Sequence, residues 1–288
     1  MRESPLIVKT VRDVREAVAK ARADGRSVGF VPTMGALHVG HISLIEASKR
    51  DGRYTVVSIY VNPTQFAPTE DLATYPRTLD DDIQKCRAAG VELIFAPDNS
   101  EMYPPGDQTR VSPGPLAEKL CGAFRPGHFE GVCTVVAKLL QIVQPDTAYF
   151  GQKDAQQAVI IRRMVEDLRM PVRIEVCPLV RDADGLALSS RNARLRPEDR
   201  ARALSLYHAL CAGGKLLATG EPSMGRVIAA MRAVIAAHPE VRVDYLSLVD
   251  PETLEDIQRP HGRVMIAGAI RVGDVRLIDN MIVDLPVK

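Results

Sequence analysis

Residues 28–46 read VGFVPTMGALHVGHISLIE, and the rest of the chain is interpreted from this stretch. It opens as an apolar run, breaks at a proline, passes Gly35 and carries two histidines three residues apart, His38 and His41. From Val39 onward apolar residues recur at steps of three, which predicts a helix. A strand, a glycine turn and a helix in this order place helix N-terminal amides and the positive end of the helix dipole beyond the strand. The stretch therefore predicts an anion site flanked by two imidazoles.

The two histidines also have a purely structural interpretation. A single histidine beside an apolar helix is usually a packed or solvated residue. Two histidines in the pattern H-x-G-H, directly after a predicted strand and a glycine turn, favour the functional interpretation because that context makes such a motif credible.

Composition and charge narrow the class of protein. The chain has 288 residues, of which 46% are hydrophobic and 25% charged, as in ordinary globular proteins. Its net charge is +1, from 37 basic and 36 acidic residues, so we expect no nucleic acid partner. The five scattered cysteines form no C-x-x-C pair, which favours thiols in a reducing cytoplasm. The sequence shows no apolar run of about 18 residues and no signal-peptide core, so we expect no membrane span.

Apolar runs and helical patterns alternate along the first part of the chain. We predict helices between buried strands at residues 27–31, 55–61, 91–95, 147–150 and 173–180. Near residues 178–196 this pattern gives way to two helices and then short strands at residues 244–249, 264–271 and 275–280. The predicted fold class is α/β, with a Rossmann-like parallel sheet in an N-terminal domain over residues 1–185 and a smaller α+β C-terminal domain over residues 186–288.

Polar side chains gather at turns and at the predicted ends of strands. In doubly wound sheets, ligands bind beyond the carboxyl ends of the strands. Hydroxyls, a lysine and a guanidinium fork suit phosphate oxygens, whereas amides suit a hydroxylated substrate. We therefore predict a polyphosphate site and a neighbouring polar pocket, formed by His38, His41, Asn62, Gln65, Lys153, Asp154, Gln157, Ser189, Ser190 and Arg191.

Several of these segments keep a second interpretation. Asn62-Pro63 is also a common turn pair, and lysine is usually solvated. The acids at residues 80–82 open a predicted helix, where they complement its dipole or contact Mg²⁺. The glycine-rich residues 121–131 form either an ordinary surface loop or a mobile loop over an anionic ligand.

Motifs of other enzyme classes do not occur in the sequence. It lacks G-x-x-x-x-G-K-[ST], G-x-G-x-x-G after a strand, and G-x-S-x-G. The first absence excludes a P-loop NTPase, and the other two mean that a dinucleotide-binding fingerprint and a nucleophile elbow are missing. No His/Cys/Asp spacing suits a catalytic metal site.

The remaining motifs carry a family resemblance along essentially the whole chain. His38-Val39-Gly40-His41 resembles the HIGH signature of the nucleotidyltransferase superfamily, which includes class I aminoacyl-tRNA synthetases. The longer PTMGALH at residues 32–38 resembles the pantothenate synthetase family. Supporting stretches are VNPTQF (61–66), TYPR (74–77), FRPGHFEGV (124–132), GQKDAQQ (151–157), LSSRN (188–192), DYLSLVDPETLE (244–255) and RLIDN (276–280).

The resemblance implies a role for individual residues. It implies that His41, His38 and Lys153 are catalytic and that Gln65 and Gln157 hold pantoate. It implies an ATP site formed by Met34, Gly35, Ala36, Leu37, His38, Val39, Gly40, His41, Gly151, Gln152, Lys153, Asp154, Val180, Leu188, Ser189, Ser190 and Arg191. Val39 stands where the family often has an acidic residue, and we expect its side chain to face the core.

The resemblance also implies a reaction. ATP and Mg²⁺ would support the condensation of pantoate with β-alanine to pantothenate through pantoyl adenylate, with release of pyrophosphate and AMP. Asp81, Asp82 and Lys85 match a helix that the family places near the metal, although a lysine there argues against direct ligation. The larger domain would bind nucleotide and pantoate, the smaller would act as a lid, and the enzyme would be a cytoplasmic homodimer. Residues 125–131 would form a second lid that excludes water.

Two other functions remain open at this stage. One is a nucleotidyltransferase that joins ATP to a phosphate-bearing substrate and yields a dinucleotide. The other is a regulatory module that binds a nucleotide without turning it over.

Overall fold

The computed structural model describes residues 4–68, 70–257 and 259–285. The chain divides into two compact units. Unit 1 comprises Met1–Ala117, Arg125–Gly151 and Ile160–Pro178, and unit 2 comprises Glu118–Phe124, Gln152–Val159 and Leu179–Lys288. The predicted domain boundary between residues 185 and 186 stays a prediction.

Unit 1 contains a six-stranded parallel sheet. Its strands lie in the order β1-β4-β3-β2-β5-β6. Valine, isoleucine and aromatic residues are frequent in the four central strands because both faces of the sheet are covered there. In chain order the strands are β1 (Leu6–Val8), β2 (Val28–Thr33), β3 (Tyr54–Ile59), β4 (Leu93–Phe95), β5 (Thr147–Gly151) and β6 (Arg173–Cys177).

Helices connect the parallel strands of unit 1. Thr10 caps the first helix by accepting a hydrogen bond from the amide of Asp13. The longest of these helices is buried along most of its length, with Phe129 and Val143 among its core residues. The helices are α1 (Val11–Ala23), α2 (Val39–Arg50), α3 (Leu79–Ala89), α4 (Asn99–Met102), α5 (Cys121–Phe124), α6 (His128–Val143) and α7 (Ala155–Asp167), where α5 and the start of α7 are assigned to unit 2.

The strand order reverses between β2 and β5. From β2 the chain runs outward through β3 and β4, and it then returns to place β5 on the other side of β2. A reversal of this kind is where open α/β sheets bind ligands, beyond the carboxyl ends of the strands. β2 leads directly into the H-x-G-H motif, so the topology supports the site that the sequence predicts.

Unit 2 is built on a three-stranded antiparallel sheet with the order β7-β8-β9. Its strands are β7 (Arg242–Val249), β8 (Arg263–Val272) and β9 (Val275–Asp284). Two helices, α8 (Arg200–Ala218) and α9 (Met224–Ile235), supply Leu210, Leu217 and Met231 to the core of this unit.

The predicted fold class is confirmed, with a parallel Rossmann-like sheet and a smaller α+β region. Regular apolar spacing predicts helices over residues 11–23 and 79–89, and α1 and α3 have these bounds. Within the described ranges, no helix is long and apolar enough to cross a membrane. The five cysteines are present as thiols, and four of them are buried.

Candidate active site

The turn between β2 and α2 is a tight connection. β2 ends at Thr33, and α2 begins at Val39. Gly35 in this turn has a φ of 83°, a conformation that a side chain disfavours. A Cβ on Gly35 would lie 3.1 Å from Oδ2 of Asp82, so glycine also allows the backbone to approach that carboxylate.

Asp82, in the first turn of α3, is fully buried and holds this turn in place. Its Oδ2 accepts a hydrogen bond from the amide of Ala36 at 2.9 Å, and its Oδ1 accepts one from the amide of Leu37 at 2.7 Å. Thr78 Oγ1 donates to Oδ2 at 3.2 Å. Lys85 Nζ donates to the Leu37 carbonyl at 2.8 Å. Asp82 therefore anchors the backbone beside the histidines with both of its oxygens.

Neither interpretation of the acids at residues 80–82 included this role. Asp80 and Asp81 are exposed at the start of α3, whereas Asp82 is buried on the same helix face as Cys86. The spacing of Asp82 and Cys86 by four residues was the signal in the sequence that could have shown a buried acid.

The two histidines cap α2 reciprocally. His38 is the N-cap residue, and its Nδ1 accepts a hydrogen bond from the amide of Gly40 at 3.1 Å. His41 Nδ1 accepts from the amide of His38 at 3.3 Å. The ring centroids lie 4.1 Å apart. This arrangement is a capping box made of two imidazoles, and it fixes both rings relative to the helix.

The cap determines which ring nitrogen carries the proton. In a neutral imidazole one nitrogen donates and the other accepts. Because Nδ1 of His38 and of His41 accepts from a backbone amide, the proton of each neutral ring is on Nε2. Each ring is therefore a hydrogen-bond donor at Nε2.

This result changes the source of the predicted anion-binding donors. The amide of Gly40 bonds to His38 Nδ1, and the amide of His41 bonds to the His38 carbonyl at 2.8 Å. These two amides are satisfied within the cap. The imidazole Nε2–H groups take over as directional donors, while the helix dipole still favours negative charge at this end.

Val39 does not face the core. Its side chain is 65% exposed, so the prediction about its direction is wrong. Val39 is the first residue of α2 and lies before the part of the helix that packs against the core. Ile45, later on the same helix, is fully buried.

Gln65 is held in a buried polar network in unit 1. Asn62 Nδ2 donates to Gln65 Oε1 at 3.0 Å, and Gln65 Nε2 lies 3.2 Å from Met34 Sδ. Asn62 is 1% exposed, and its Oδ1 accepts from Tyr103 Oη at 2.9 Å and from Thr64 Oγ1 at 3.0 Å. Asn62 is therefore more than a turn residue, because it orients the Gln65 amide beside the predicted ATP segment.

Arg125 and His128 bind the backbone of Gln65. His128 Nδ1 lies 2.8 Å from the Gln65 carbonyl, and Arg125 pairs with both carboxylate oxygens of Glu70 at 2.6 Å. Burial alone raises the pKa of Glu70, but the Arg125 guanidinium outweighs it and the net pKa is lowered. A Cβ on Gly131 would overlap the carbonyl oxygen of Thr64, so α6 can approach this turn only through a glycine.

Residues 121–131 are therefore not an extended glycine loop. α5 covers residues 121–124, and α6 begins at His128, which leaves a short turn at residues 125–127. Both interpretations described this segment as a loop, and both are wrong because most of its residues are helical. Its glycines serve the helix entry at Gly127 and the close approach at Gly131.

In unit 2, Lys153 lies in the 3₁₀ turn Gln152–Asp154, directly after β5. Its Nζ is 3.7 Å from Asp154 Oδ1, and its side chain is 21% exposed. Asn280 on β9 donates to the carbonyls of Gln152 and Lys153 at 2.8 and 3.1 Å.

The second predicted phosphate segment of unit 2 is also ordered by local hydrogen bonds. The amide of Leu188 donates to the Val180 carbonyl at 3.1 Å, which brings two predicted ATP-binding residues together. Ser189 caps the 3₁₀ turn Ser190–Arg194 by accepting from the amide of Arg191 at 3.2 Å. The Ser189 hydroxyl oxygen is thus engaged in the cap.

The two predicted pantoate residues belong to different units. Gln65 is in unit 1, and Gln157 lies half-buried in the first turn of α7, in the part assigned to unit 2. The neighbouring Gln156 is structural, because its Oε1 accepts from the amide of Cys121 at 2.9 Å and its Nε2 donates to the Lys119 carbonyl at 2.7 Å. Unit 1 brings Met34, Gly35, Ala36, Leu37, His38, Val39, Gly40, His41 and Gln65 into one connected network or turn.

The donor set does not fit a metal held by protein side chains. Throughout residues 4–68, 70–257 and 259–285, no group of three or more His, Cys, Asp or Glu side chains could hold an ion. Both oxygens of Asp82 already accept hydrogen bonds. Any Mg²⁺ in the reaction fits better as an ion bound chiefly by phosphate oxygens and water.

Fold and site together define a nucleotide-using α/β enzyme, with an H-x-G-H cap at the strand-order reversal of a parallel sheet. The family model described as pantoate-beta-alanine ligase matches residues 6–282. The chain belongs to this family.

Relatives match over nearly the full length of the chain. Pantothenate synthetase from Moorella thermoacetica is 52% identical over 279 residues, covering 97% of this chain and 99% of the relative. The crystal structure of pantothenate synthetase from Thermus thermophilus superimposes with a TM-score of 0.90 at 47% identity, covering 96% of this chain and 98% of the other.

A third relative was solved with ligands. The pantoate-beta-alanine ligase from Francisella tularensis, complexed with beta-gamma ATP and beta-alanine, is 35% identical with a TM-score of 0.77. It covers 96% of this chain and 97% of its own.

We predict that Asp82→Asn disturbs the turn beside the histidines. The amide replaces one acceptor with a donor that faces a backbone N–H or the Thr78 hydroxyl, so the turn loses at least one hydrogen bond. The expected loss is about 1–3 kcal/mol in the free energy of unfolding. We also expect a loss of about 10- to 100-fold in kcat, because a small misplacement of catalytic groups is costly. Thermal unfolding and steady-state kinetics measure the two effects.

Asp81→Asn is the matched control. Asp81 is the neighbouring acid in the same helical turn and is exposed. The anchoring role predicts near wild-type stability and kcat for this variant. Equal losses in both variants would contradict anchoring and favour a charge or metal contact shared by the two acids.

Proposed function

We propose that this chain is an ATP-dependent ligase that condenses pantoate with β-alanine to pantothenate through a pantoyl-adenylate intermediate, releasing pyrophosphate and AMP. The observation that carries the proposal is the pair of Nε2–H donors at the start of α2, in a chain that matches the pantoate-beta-alanine ligase family over residues 6–282. The ligands of the Francisella tularensis relative, beta-gamma ATP and beta-alanine, support the same substrates.

In the first step, a carboxylate oxygen of pantoate attacks the α-phosphorus of ATP, and pyrophosphate leaves. Catalysis of such a displacement is mostly positioning and stabilisation of charge. His38 and His41 donate from Nε2 to oxygens at the α- and β-phosphates, where negative charge grows as the bond breaks. The histidine cap supplies these donors preoriented, so no reorganisation is needed during the reaction.

The proposed ATP-binding set includes residues that follow β5 and β6 in the chain. Lys153 and Arg191 neutralise charge on the leaving pyrophosphate, and a guanidinium suits its paired oxygens. The set also includes Gly151, at the end of β5 in unit 1, together with Gln152, Asp154, Val180, Leu188, Ser189 and Ser190.

The proposed pantoate residues are amides. Gln65 and Gln157 can both donate and accept, which suits a substrate with hydroxyl groups and a carboxylate. The Gln65 side chain already contacts Asn62 and Met34, so its orientation is set before substrate arrives.

In the second step, the neutral amine of β-alanine attacks the acyl carbon of the adenylate, and AMP leaves. This step needs no covalent enzyme intermediate. Magnesium enters this proposal with ATP, and no step is assigned to a protein-bound ion. The family resemblance implies a homodimer and a cytoplasmic location, and both are part of the proposal. Light scattering measures the oligomeric state.

Pantoate-dependent exchange of labelled pyrophosphate into ATP is the assay that tests the activity. We expect exchange with ATP, Mg²⁺ and pantoate, and AMP formation only when β-alanine is added. Reversal of the first step explains exchange without β-alanine. A dinucleotide product would favour the alternative nucleotidyltransferase, and nucleotide binding without exchange would favour the regulatory module.

Variants of His41 separate its capping role from its donor role. We expect His41→Ala to lower kcat by about two to four orders of magnitude, the usual effect of losing such a group. His41→Asn keeps an acceptor near the position of Nδ1 but loses the Nε2–H donor. The asparagine variant should therefore retain stability and still lose activity.

His208→Ala is the matched control, because His208 is exposed on α8 and belongs to no proposed site. It should match the wild type. Wild-type kcat in His41→Asn would remove the donor role from the mechanism.

We predict that residues 125–131, the turn before α6 and the first turn of that helix, are protected when the adenylate forms, because a mixed anhydride needs shielding from water. Hydrogen exchange across this segment should slow with ATP plus pantoate compared with either ligand alone. Exchange rates that do not change would exclude its role as a lid.

A further inference from the structure

Lys153 depends on a short backbone turn that lies outside any long helix or strand. It occupies the middle of the 3₁₀ turn Gln152–Asp154, which has only three residues. Its Nζ lies 3.7 Å from Asp154 Oδ1, an ion pair too long to fix the ammonium group closely. The direction of the side chain therefore depends on what holds the turn.

Asn280 on β9 holds this turn from within unit 2. Its Nδ2 donates to two consecutive carbonyls, Gln152 at 2.8 Å and Lys153 at 3.1 Å. Its Oδ1 accepts from Gln152 Nε2 at 3.2 Å. Asn280 is 4% exposed, so the amide has no competing bulk water. A primary amide has two N–H donors and one carbonyl oxygen, and this site uses all of them.

The neighbouring Asp279 extends the same contact to the second phosphate segment. Its two oxygens accept from Arg181 Nη1 and Nη2 at 2.6 and 2.9 Å. Arg181 Nη1 also donates to the Gly185 carbonyl at 3.0 Å, and its guanidinium lies 4.6 Å from the centre of the Tyr207 ring. Arg181 follows Val180, whose carbonyl pairs with the amide of Leu188. The pair Asp279–Asn280 thus ties two predicted ATP-binding segments to one strand.

We propose that Asn280 is a positioning residue of the ligase, which aligns Lys153 for pyrophosphate departure by holding the carbonyls of residues 152 and 153. The proposal rests on the function and on the Lys153 role given above. Asp279, acting through Arg181, positions the turn at residues 180–188 in the same way. Asn280 contacts no reacting atom, so its effect on the reaction passes through Lys153.

Two variants of Asn280 test this role. Asn280→Ala removes both donors. Asn280→Ser keeps a single donor and leaves a smaller cavity, and it replaces the alanine variant in the test if that variant does not fold. We expect the kcat of pantoate-dependent pyrophosphate exchange to be about 10- to 100-fold lower in the alanine variant and to fall less in the serine variant. The reason is that a misplaced Lys153 ammonium group stabilises the charge of the leaving pyrophosphate less well. The KM for pantoate should change less than about threefold, since the Asn280 side chain bonds to residues 152 and 153 rather than to Gln65 or Gln157.

A double-mutant cycle separates positioning from a general structural role. Lys153→Ala alone should lower exchange strongly. If Asn280 acts through Lys153, adding Asn280→Ala to Lys153→Ala should lower exchange by no more than about twofold further, because the residue it positions is gone. Two effects that multiply independently would overturn the proposal.

Asp284→Ala is the control on the same strand. Its carboxylate pairs with Arg263 at 2.9 Å, and its side chain is 75% exposed, so we expect wild-type exchange. Each variant is compared by thermal unfolding to establish that it is folded at the assay temperature. Wild-type exchange in folded Asn280→Ala or Asn280→Ser would also overturn the positioning role. If the wild-type enzyme itself gave no pantoate-dependent exchange, the proposed function would fail instead, so the two failures are distinguishable.

Discussion

The reciprocal hydrogen bonds of His38 and His41 are the interaction on which the proposed chemistry depends. Each ring uses Nδ1 to cap the first turn of α2, at 3.1 and 3.3 Å from a backbone amide. This contact satisfies helix N-terminal amides and at the same time sets the tautomer. One interaction therefore stabilises the helix and creates two oriented Nε2–H donors. A glutamate in a conventional capping box could do only the first.

Buried polar residues distant in sequence support this cap and the other segments of the site. Asp82 holds the amides of Ala36 and Leu37 from 46 and 45 residues away, and Asn280 holds the Gln152 carbonyl from 128 residues away. His128, 63 residues away, and Asn62, only three residues away, perform the same task for Gln65. In each case a buried or half-buried side chain fixes backbone or amide geometry next to a residue with a proposed chemical role, which is how a site on short turns becomes preorganised.

Local patterns predicted much of this arrangement. Regular apolar spacing predicted α1 and α3, and the apolar, β-branched runs predicted five of the six parallel strands, with β1 as the exception. The H-x-G-H motif located the histidine pair, because a strand, a turn and a helix are consecutive in sequence. Asp82 and Asn280 escaped prediction because their partners are distant in sequence. The predicted orientation of the Val39 side chain was wrong, because apolar spacing does not show that a residue in the first turn of a helix lies outside the packed face.

Nitrogen-15 NMR of the imidazole rings in the ligand-free protein tests the central claim most directly. The chain has six histidines, and the His38 and His41 signals can be assigned by substituting each in turn. At neutral pH we expect both rings to show a proton on Nε2 and an unprotonated, hydrogen-bonded Nδ1. A proton on Nδ1 of either ring would contradict the reciprocal cap and, with it, the presentation of two Nε2–H donors to the phosphates.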